Sequence, residues 1–290
     1  MTLAAPSAAD PARPSVRRGQ TVLGLFLATH PGPTVAVVGY ATATAAASGL
    51  GARSALLAVA VLLGQASVGW SNDWIDAGRD IARARRDKPI PRGLVSRDVV
   101  RRGALIALTL CVPASFALGW RAGIAHLVAV LAAWSYNLGV KRTLASPLPY
   151  FVAFAMVPVV VAWALPAHPS APWRLVLASG LLGVSAHLPN AVEDLADDTA
   201  TGVRGLPQRL GVVWSMVAST IVLVTALGLF LSLPGRATPA AIVLACIAAT
   251  LSGASVVRAL SRRTNGLFAL SVLAVLPLVV AVAATGGVRG

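Results

Sequence analysis

Apolar residues are grouped along this chain into nine long runs, separated by short polar or charged connections. Each run is close to the roughly 20 residues that a helix needs to cross the hydrocarbon core of a membrane. The pattern therefore predicts an all-α polytopic membrane protein with about nine transmembrane helices. The runs lie at residues 20–42, 54–72, 103–120, 122–140, 148–166, 173–190, 211–233, 238–258 and 266–286.

The distribution of charged residues predicts how the chain is oriented in the membrane. The chain is 57% hydrophobic and only 12% charged, and its 24 basic and 10 acidic residues give a net charge of +14. The basic residues form no single stripe and no domain interleaved with aromatic residues, which argues against a nucleic-acid partner. If the N-terminus is cytoplasmic, 19 of the 24 basic residues lie inside. The positive-inside rule then predicts an N-in, C-out topology.

Composition also predicts the domain division. Residues 1–19 are rich in Ala, Pro and Arg, which is typical of a disordered arm, here on the cytoplasmic side. Residues 20–290 are expected to form a single transmembrane domain. The preference for Ala, Val and Arg over Lys is typical of a GC-rich bacterial genome and favours the bacterial plasma membrane as the location.

Two acidic segments interrupt the apolar pattern with the same spacing, Asn-x-x-x-Asp-x-x-x-Asp. The motif positions are Asn72, Asp76 and Asp80 in the first segment and Asn190, Asp194 and Asp198 in the second. On a helix, a spacing of four places the first three side chains on one face over roughly 12 Å. An ionised side chain that faced lipid near the bilayer centre would cost roughly 3 kcal/mol. We therefore expect this face to line a cavity or the bundle interior, with Gln65 and Gly69 extending it.

The crowding of carboxylates points to a metal. Eight of the ten acidic residues lie in or beside these two segments. Clustered carboxylates repel one another, which raises their pKa values or requires cations. Oxygen ligands favour Mg²⁺, which takes one or two carboxylates and completes its shell with water and substrate phosphate. Two such clusters facing each other across a cavity predict Mg²⁺ ions bridged by a diphosphate at the cytoplasmic face.

Basic residues follow each acidic segment, where they would supply positive charge to the same anion. They are Arg83, Arg85, Arg86 and Lys88 after the first motif, and Arg204 and Arg209 after the second. A basic loop after a helix also serves as a cytoplasmic anchor, so no single arginine identifies the site. The repeated acidic spacing is the more specific signal.

These segments resemble the motifs of the UbiA superfamily of intramembrane prenyltransferases. NDWIDAGRDIARARRDKPIPRGLVS resembles the family's Asn-Asp-x-x-Asp-x-x-x-Asp and a basic loop ending in Arg-Pro-x-Pro-Ser-Gly, with Lys88 in place of that Arg and Arg92 in place of that Ser. NAVEDLADDTATGVRGLPQRLG resembles the second Asp-x-x-x-Asp with its Gly, basic residue, Leu-Pro and closing Leu-Gly. YNLGVKR resembles the Tyr and Lys-Arg at the end of the family's fourth helix. The likeness covers about residues 25–285.

The resemblance implies a helical bundle around a central cavity, with an opening to lipid that admits an isoprenoid tail. It implies a Mg²⁺-dependent transfer of an isoprenyl group from an allylic polyprenyl diphosphate to a small-molecule or lipid acceptor, with an aromatic acceptor or quinone precursor favoured. Charge would develop on the departing diphosphate and on an allylic cation, from which bulk water must be excluded.

The roles of individual residues are also implied by the resemblance. Mg²⁺ binding is expected from Asp76, Asp80, Asp194 and Asp198. Diphosphate binding is expected from Asn72, Asn190, Arg86, Lys88, Lys141 and Arg204. Catalytic roles are expected from the four metal-binding aspartates, from Tyr136, which would steady the cation or bond to a diphosphate oxygen, and from Asp73, as a base or as a partner of the basic loop. His187 and Gln65 are candidate contacts for the acceptor.

Three other readings compete with prenyl transfer. A terpene cyclase of the same fold would ionise the same diphosphate, and the motifs do not separate it from a transferase. A transporter would use acidic residues near the membrane midplane, whereas these lie near the cytoplasmic ends of their helices. A phosphatidyltransferase would carry Asp-Gly-x-x-Ala-Arg, which DAGRD does not match. Prenyl transfer is the favoured interpretation.

Overall fold

The computed structural model of the protein describes residues 18–263 and 266–289. Within these ranges the chain is helical and has no strand. The helices are α1 Arg18–Ala28, α2 Pro31–Ala47, α3 Arg53–Ala82, α4 Arg97–Phe116, α5 Trp120–Leu138, α6 Leu148–Ala164, α7 Trp173–Glu193, α8 Leu195–Ala200, α9 Leu206–Leu231, α10 Pro239–Leu260 and α11 Leu267–Ala284, with a 3-10 turn at Val140–Arg142 between α5 and α6. This confirms the predicted all-α class.

Each predicted apolar run overlaps one of these helices, except the first, which is divided between α1 and α2. Five helices in the described ranges are long and apolar enough to cross a membrane, or six if the bent pair α1–α2 counts as one span. The chain is therefore an integral membrane protein. The count of nine spans and the N-in, C-out orientation remain predictions.

The division of the first run falls at His30 and Pro31. His30 has a left-handed backbone (φ 55°), and α1 and α2 meet there at an angle of 57°. Proline disfavours the helical conformation for the residue before it, so the helix ends at that point and restarts with proline in its first turn. Arg18 and Gly19, the last two residues of the predicted arm, belong to α1. Residues 1–17 lie outside the described residues.

Helix α3 is long enough to carry the first acidic motif beyond the membrane interior. Its 30 residues give a length of about 45 Å, against a hydrocarbon core of about 30 Å. The apolar part of α3 is long enough to cross this core, and Asn72, Asp76 and Asp80 lie in the last three turns of the helix. This length is the physical reason why a highly apolar protein can place ionised groups on a continuous transmembrane helix.

The second motif is shared between two helices. Asn190 lies in α7, Asp194 is the residue between α7 and α8 (φ −96°, ψ 3°), and Asp198 lies in α8. The backbone N–H of Asp198 still donates to the carbonyl of Asp194 at 2.8 Å. Asp194 and Asp198 therefore remain one helical turn apart, although the chain changes direction between Asn190 and them.

Glycines allow neighbouring helices of the bundle to pack closely. A Cβ atom at Gly183 of α7 would collide with the backbone carbonyl of Tyr150 in α6, and one at Gly69 of α3 would collide with the carbonyl of Thr29. Small residues allow such close approach between membrane helices. As a result, α2, α3, α5, α6, α7 and α11 surround a common cavity.

Candidate active site

The central cavity has a volume of about 540 Å³ and is polar at one end and apolar at the other. Both acidic motifs contribute to the polar end, and side chains from α2, α6, α7 and α11 line the apolar end. The ionisable lining residues are Asp76, Asp80, Asp194, Asp197, Asp198, Arg79, Arg83, Arg85, Lys88 and Lys141, together with His30. The apolar lining includes Val35, Val37, Phe154, Leu182, Val275 and Leu276.

Arg79 joins the two acidic motifs. Its Nη2 lies 2.9 Å from Oδ2 of Asp76, and its Nη1 lies 3.4 Å from Oδ1 of Asp198. Gln208 also donates to Oδ2 of Asp198, at 3.0 Å. Burial raises the pKa of Asp198 to about 6, and the positive charge of Arg79 opposes that rise. The two motifs, separate in sequence, therefore form one site.

Arg85 makes a second connection, from the loop after α3. Its guanidinium donates to Asp87 at 2.6 and 2.9 Å and to Oδ1 of Asp194 at 2.7 Å, and it lies 3.3 Å from Asp197. The hydrogen bonds to Asp87 are the main reason why the pKa of Arg85 is raised and that of Asp87 is lowered. Arg83 reaches Asp197 at 3.3 Å. The loop thus forms a basic lid over the second motif.

Lys141 approaches the site from the 3-10 turn after α5. Its Nζ donates to Oδ2 of Asp76 at 2.5 Å, and both side chains are buried. Burial lowers the pKa of Lys141, and the attraction of Asp76 opposes that effect. The turn is held by close packing, since a Cβ atom at Gly205 would collide with the carbonyl oxygen of Lys141.

Lys88, Asp73 and His30 form a polar cluster on one side of the cavity. Lys88 Nζ donates to Oδ1 of Asp73 at 2.8 Å, and His30 Nε2 lies 3.0 Å from the same oxygen. Burial lowers the pKa of Lys88, but the charge and hydrogen bond of Asp73, together with the charges of Asp80 and Asp194, outweigh that effect, so the pKa is raised and Lys88 remains a cation. Asp73 is 2% exposed and is absent from the cavity lining. Asp73 was expected to act as a base or as a partner of the basic loop, and its contact with Lys88 agrees with the second role.

An aromatic wall faces the polar end. The rings of Tyr136 and Tyr150 meet edge to face with their centres 5.3 Å apart. His187 is fully buried behind them, with its ring centre 4.7 Å from that of Tyr150 and its Nε2 3.2 Å from Ser146 Oγ. Asn190 lines the cavity and donates to the Tyr150 hydroxyl at 3.4 Å. Tyr136 therefore borders the cavity, whereas His187 does not.

The donor set fits a hard divalent cation bound together with an anion. The described lining holds five aspartates and five Lys or Arg side chains, so their charges balance. A diphosphate would add negative charge, and a divalent cation bound with it would neutralise that charge. Asp80 lines the cavity and is 5% exposed, and its side-chain carboxylate makes no hydrogen bond or ion pair with the described residues. Within those residues no three His, Cys, Asp or Glu side chains are already gathered as a metal site. The carboxylates are instead paired with Arg79, Arg85 and Lys141, which a bound ion would have to displace.

Comparison with known proteins agrees with this arrangement. The model of the UbiA prenyltransferase family matches residues 32–269, which includes both acidic motifs and most of the helical bundle. The chain belongs to the UbiA prenyltransferase family. The comparison with curated proteins gave no match.

Solved structures of UbiA homologues share the fold. One from Aeropyrum pernix K1 has a TM-score of 0.67 at 20% identity, covering 86% of this chain and 96% of its own. One from Archaeoglobus fulgidus, bound to DMAPP and Mg²⁺, has a TM-score of 0.63 at 15% identity, covering 89% and 99%. A structure described as digeranylgeranylglyceryl phosphate synthase gives 0.64 at 17%, covering 92% and 98%. These likenesses show the UbiA fold for nearly the whole chain.

Most of the residues expected from the UbiA resemblance lie together on the cavity. They are Asn72, Asp76, Asp80, Lys88, Tyr136, Lys141, Asn190, Asp194 and Asp198. Gln65 lines the cavity as well. Arg86 and Arg204 do not: both are exposed and absent from the lining. The structure therefore does not bring these two arginines to the site as expected.

Several residues of the UbiA site were not singled out by the sequence. Arg79 stands three residues after Asp76, a spacing that places two side chains on the same helix face. This spacing could have identified Arg79 as a partner of Asp76. Arg85 was one of four basic residues in its loop, with nothing to distinguish it from Arg86. Asn137, which accepts from Asn72 at 3.1 Å, gave no sequence signal of its own, because the contact is made between two helices, α3 and α5.

Proposed function

We propose that this UbiA-family protein is a Mg²⁺-dependent prenyltransferase that moves an isoprenyl group from an allylic polyprenyl diphosphate to an acceptor within the membrane. An aromatic compound or quinone precursor is the favoured acceptor class. The observation that carries the proposal is the bridge of Arg79 between Asp76 and Asp198. It brings both acidic motifs to one end of a cavity whose other end is apolar, as a molecule with a charged head and an isoprenoid tail requires.

In this proposal Asp76, Asp80, Asp194 and Asp198 hold Mg²⁺. The homologue from Archaeoglobus fulgidus that binds DMAPP with Mg²⁺ supports this assignment, as does the unpaired carboxylate of Asp80. When bound, Mg²⁺ would supply positive charge to the diphosphate and favour its departure.

The basic residues of the chain hold the diphosphate. Arg79, Arg85 and Lys141 now pair with motif carboxylates, and would donate to diphosphate oxygens once those carboxylates bind the ion. Asn72 and Asn190 line the same end and would assist through their amide groups. Lys88 supports the first motif through Asp73.

The remaining lining would control the reactive centre. Tyr136 places an aromatic ring beside the polar end, where it would stabilise positive charge on the allylic carbon. The apolar side chains from α2, α6, α7 and α11 would hold the tail and exclude water, which would otherwise capture the cation. In the predicted N-in, C-out topology this site would lie at the cytoplasmic face, and we propose a bacterial plasma membrane as the location.

The test is diphosphate release by the purified full-length protein in detergent, with geranyl, farnesyl and geranylgeranyl diphosphates, with and without Mg²⁺. The variants Asp76→Asn and Asp194→Asn are compared with Asp98→Asn, which changes an exposed carboxylate on α4 away from the cavity. Candidate acceptors are added, and products are extracted for mass spectrometry. We expect Mg²⁺-dependent release that either motif variant abolishes and Asp98→Asn leaves intact.

The products decide between prenyl transfer and its alternatives. A prenylated acceptor supports the transferase. A cyclised hydrocarbon formed without acceptor would instead make the protein a terpene cyclase. If the motif variants bind Mg²⁺ and geranyl diphosphate as tightly as the unchanged protein does, the proposed site is wrong.

A further inference from the structure

A second, smaller cavity adjoins the main one deep in the bundle. Its volume is about 60 Å³, and it lies between α2, α3, α5 and α6. Gln65, Val68, Ala133 and Phe154 line both cavities, so the small cavity is a side chamber of the large one. Its lining is apolar except for Gln65 and His126.

The hydrogen bonds of His126 determine which ring nitrogen carries the proton. His126 is 6% exposed, and its Nδ1 lies 2.7 Å from Ser115 Oγ. Ser115 Oγ also lies 2.6 Å from the backbone carbonyl of Cys111. A carbonyl only accepts, so the single hydroxyl hydrogen of Ser115 points to Cys111, since otherwise two oxygen lone pairs would face each other at that distance. His126 therefore donates through Nδ1–H, and its Nε2 carries a lone pair.

That Nε2 lone pair has no partner among the described residues. A Cβ atom built on Gly64, which also lines the side chamber, would lie 3.5 Å from Nε2, so the nitrogen is at the chamber wall. The side-chain amide of Gln65 is likewise without a hydrogen bond to the described residues. Buried polar groups are normally hydrogen-bonded. One acceptor and one amide left open in an apolar chamber mark a place where a ligand with a hydrogen-bond donor fits.

We propose that this side chamber binds a neutral hydroxyl group of the prenyl acceptor, with the hydroxyl donating to Nε2 of His126 and accepting from the amide of Gln65. The inference rests on the proposed prenyl transfer and narrows its acceptor to a hydroxylated, largely apolar molecule such as a phenol. An isoprenoid tail has no donor and would leave both groups unsatisfied. A carboxylate offers only acceptor oxygens and would meet the Nε2 lone pair in a region without a cation.

The position of the chamber agrees with an acceptor. Gln65 and Asn72 both line the main cavity, and their separation of seven residues on α3 corresponds to roughly 10 Å. An acceptor with its hydroxyl at His126 would therefore point its far side toward the first motif, near which the proposed donor would bind. Its hydroxyl at the chamber would orient the molecule and take no part in bond formation.

The first test is ¹⁵N NMR of the full-length protein labelled at its histidines, with the His126 signal assigned by its loss in His126→Asn. We expect the Nδ1–H form in the free protein. Adding 1-naphthol should shift the Nε2 resonance, whereas naphthalene, which has the same shape without the hydroxyl, should not. An Nε2–H form, an equal response to both probes, or no response to 1-naphthol would each overturn the proposal.

Two variants separate the chamber chemistry from folding. His126→Asn keeps an amide donor near the Nδ1 position but removes the deep acceptor, whereas His126→Gln places an amide oxygen near the Nε2 position. We expect the unchanged protein to bind 1-naphthol about three- to tenfold more tightly than naphthalene, as one hydrogen bond predicts. His126→Asn should lose that preference, and His126→Gln should retain part of it. A preference that survives in His126→Asn contradicts the proposed role of Nε2.

Donor binding distinguishes this inference from the proposed function. Mg²⁺-dependent binding of geranyl diphosphate depends on the acidic motifs and should be unchanged in His126→Asn. Loss of donor binding in the unchanged protein would overturn prenyl transfer even if 1-naphthol still bound at His126. Normal donor binding without any preference for 1-naphthol would overturn the acceptor site alone.

Discussion

The guanidinium of Arg79 lies 3.4 Å from the carboxylate of Asp198, and this contact joins two motifs that are separated in the chain by the helices α4, α5 and α6. The same guanidinium is 2.9 Å from Asp76. One side-chain cation therefore pairs with a carboxylate of each motif. The arrangement also poises Arg79 to transfer its hydrogen bonds to a diphosphate.

Replacing Arg79 should weaken donor binding. Arg79→Gln removes a charged donor that reaches both motifs, so we expect the affinity for geranyl diphosphate with Mg²⁺ to fall by about tenfold or more. Isothermal titration measures the change. Arg102→Gln, at an exposed position on α4, is the control and should bind normally. Equal affinity in the two variants would contradict the role of Arg79.

Substitutions of the neighbouring residues Arg85 and Arg86 should have different effects on the KM for geranyl diphosphate. Arg85 contacts Asp194, whereas Arg86 is exposed and absent from the cavity lining. We expect Arg85→Gln to raise the KM for geranyl diphosphate by about tenfold, and Arg86→Gln to leave it within about twofold. Steady-state diphosphate release measures both. A larger effect at Arg86 would restore the assignment that the family resemblance implied.

The buried pair of Lys141 and Asp76 should show coupled effects on stability. Removing one partner of a buried ion pair costs about 3–5 kcal/mol when the other charge is left alone. Because Arg79 also contacts Asp76, we expect a smaller loss in Lys141→Met, about 2 kcal/mol. The double variant Lys141→Met, Asp76→Asn should recover most of that loss but remain inactive. Reversible unfolding in detergent tests the prediction, and additive losses would contradict it.

Gly205 should matter because of space and not because of its backbone angles. Its φ is −66°, which any residue adopts, but an added Cβ would collide with the carbonyl of Lys141. We expect Gly205→Ala to displace the Lys141 turn and lower kcat/KM by about tenfold or more. Gly228→Ala is the matched control, since nothing lies within 4 Å of its Cβ position. Equal activity of the two variants would show that the close approach is unimportant.

Removing Mg²⁺ should stop turnover without unfolding the protein. Arg79, Arg85 and Lys141 form ion pairs with motif carboxylates, so we expect chelation to leave no large cluster of uncompensated charge. We expect EDTA to abolish diphosphate release and to change the melting temperature by only a few degrees. Restoring Mg²⁺ should restore activity. Unfolding on chelation would mean that the ion is structural.

Much of the fold and the acidic part of the site could be predicted from sequence. Hydrophobic runs of membrane length predicted where the helices lie, because burial in lipid constrains nearly every residue of such a segment. The four-residue spacing placed Asn72, Asp76 and Asp80 on one helix face, since that spacing is set by the geometry of a single helix. The break between α1 and α2 at His30 and Pro31 could also be predicted, because proline disfavours the helical conformation of the residue that precedes it.

Tertiary structure alone decided which basic residues meet the carboxylates. Arg85 and Arg86 are equivalent in sequence, and the path of the loop after α3 turns one inward and leaves the other exposed. Lys141 reaches Asp76 only because Gly205 lets two connections approach closely. The open nitrogen of His126 depends on Ser115, from another helix. Local sequence determines helices and their faces, whereas contacts between helices depend on packing that no single segment encodes.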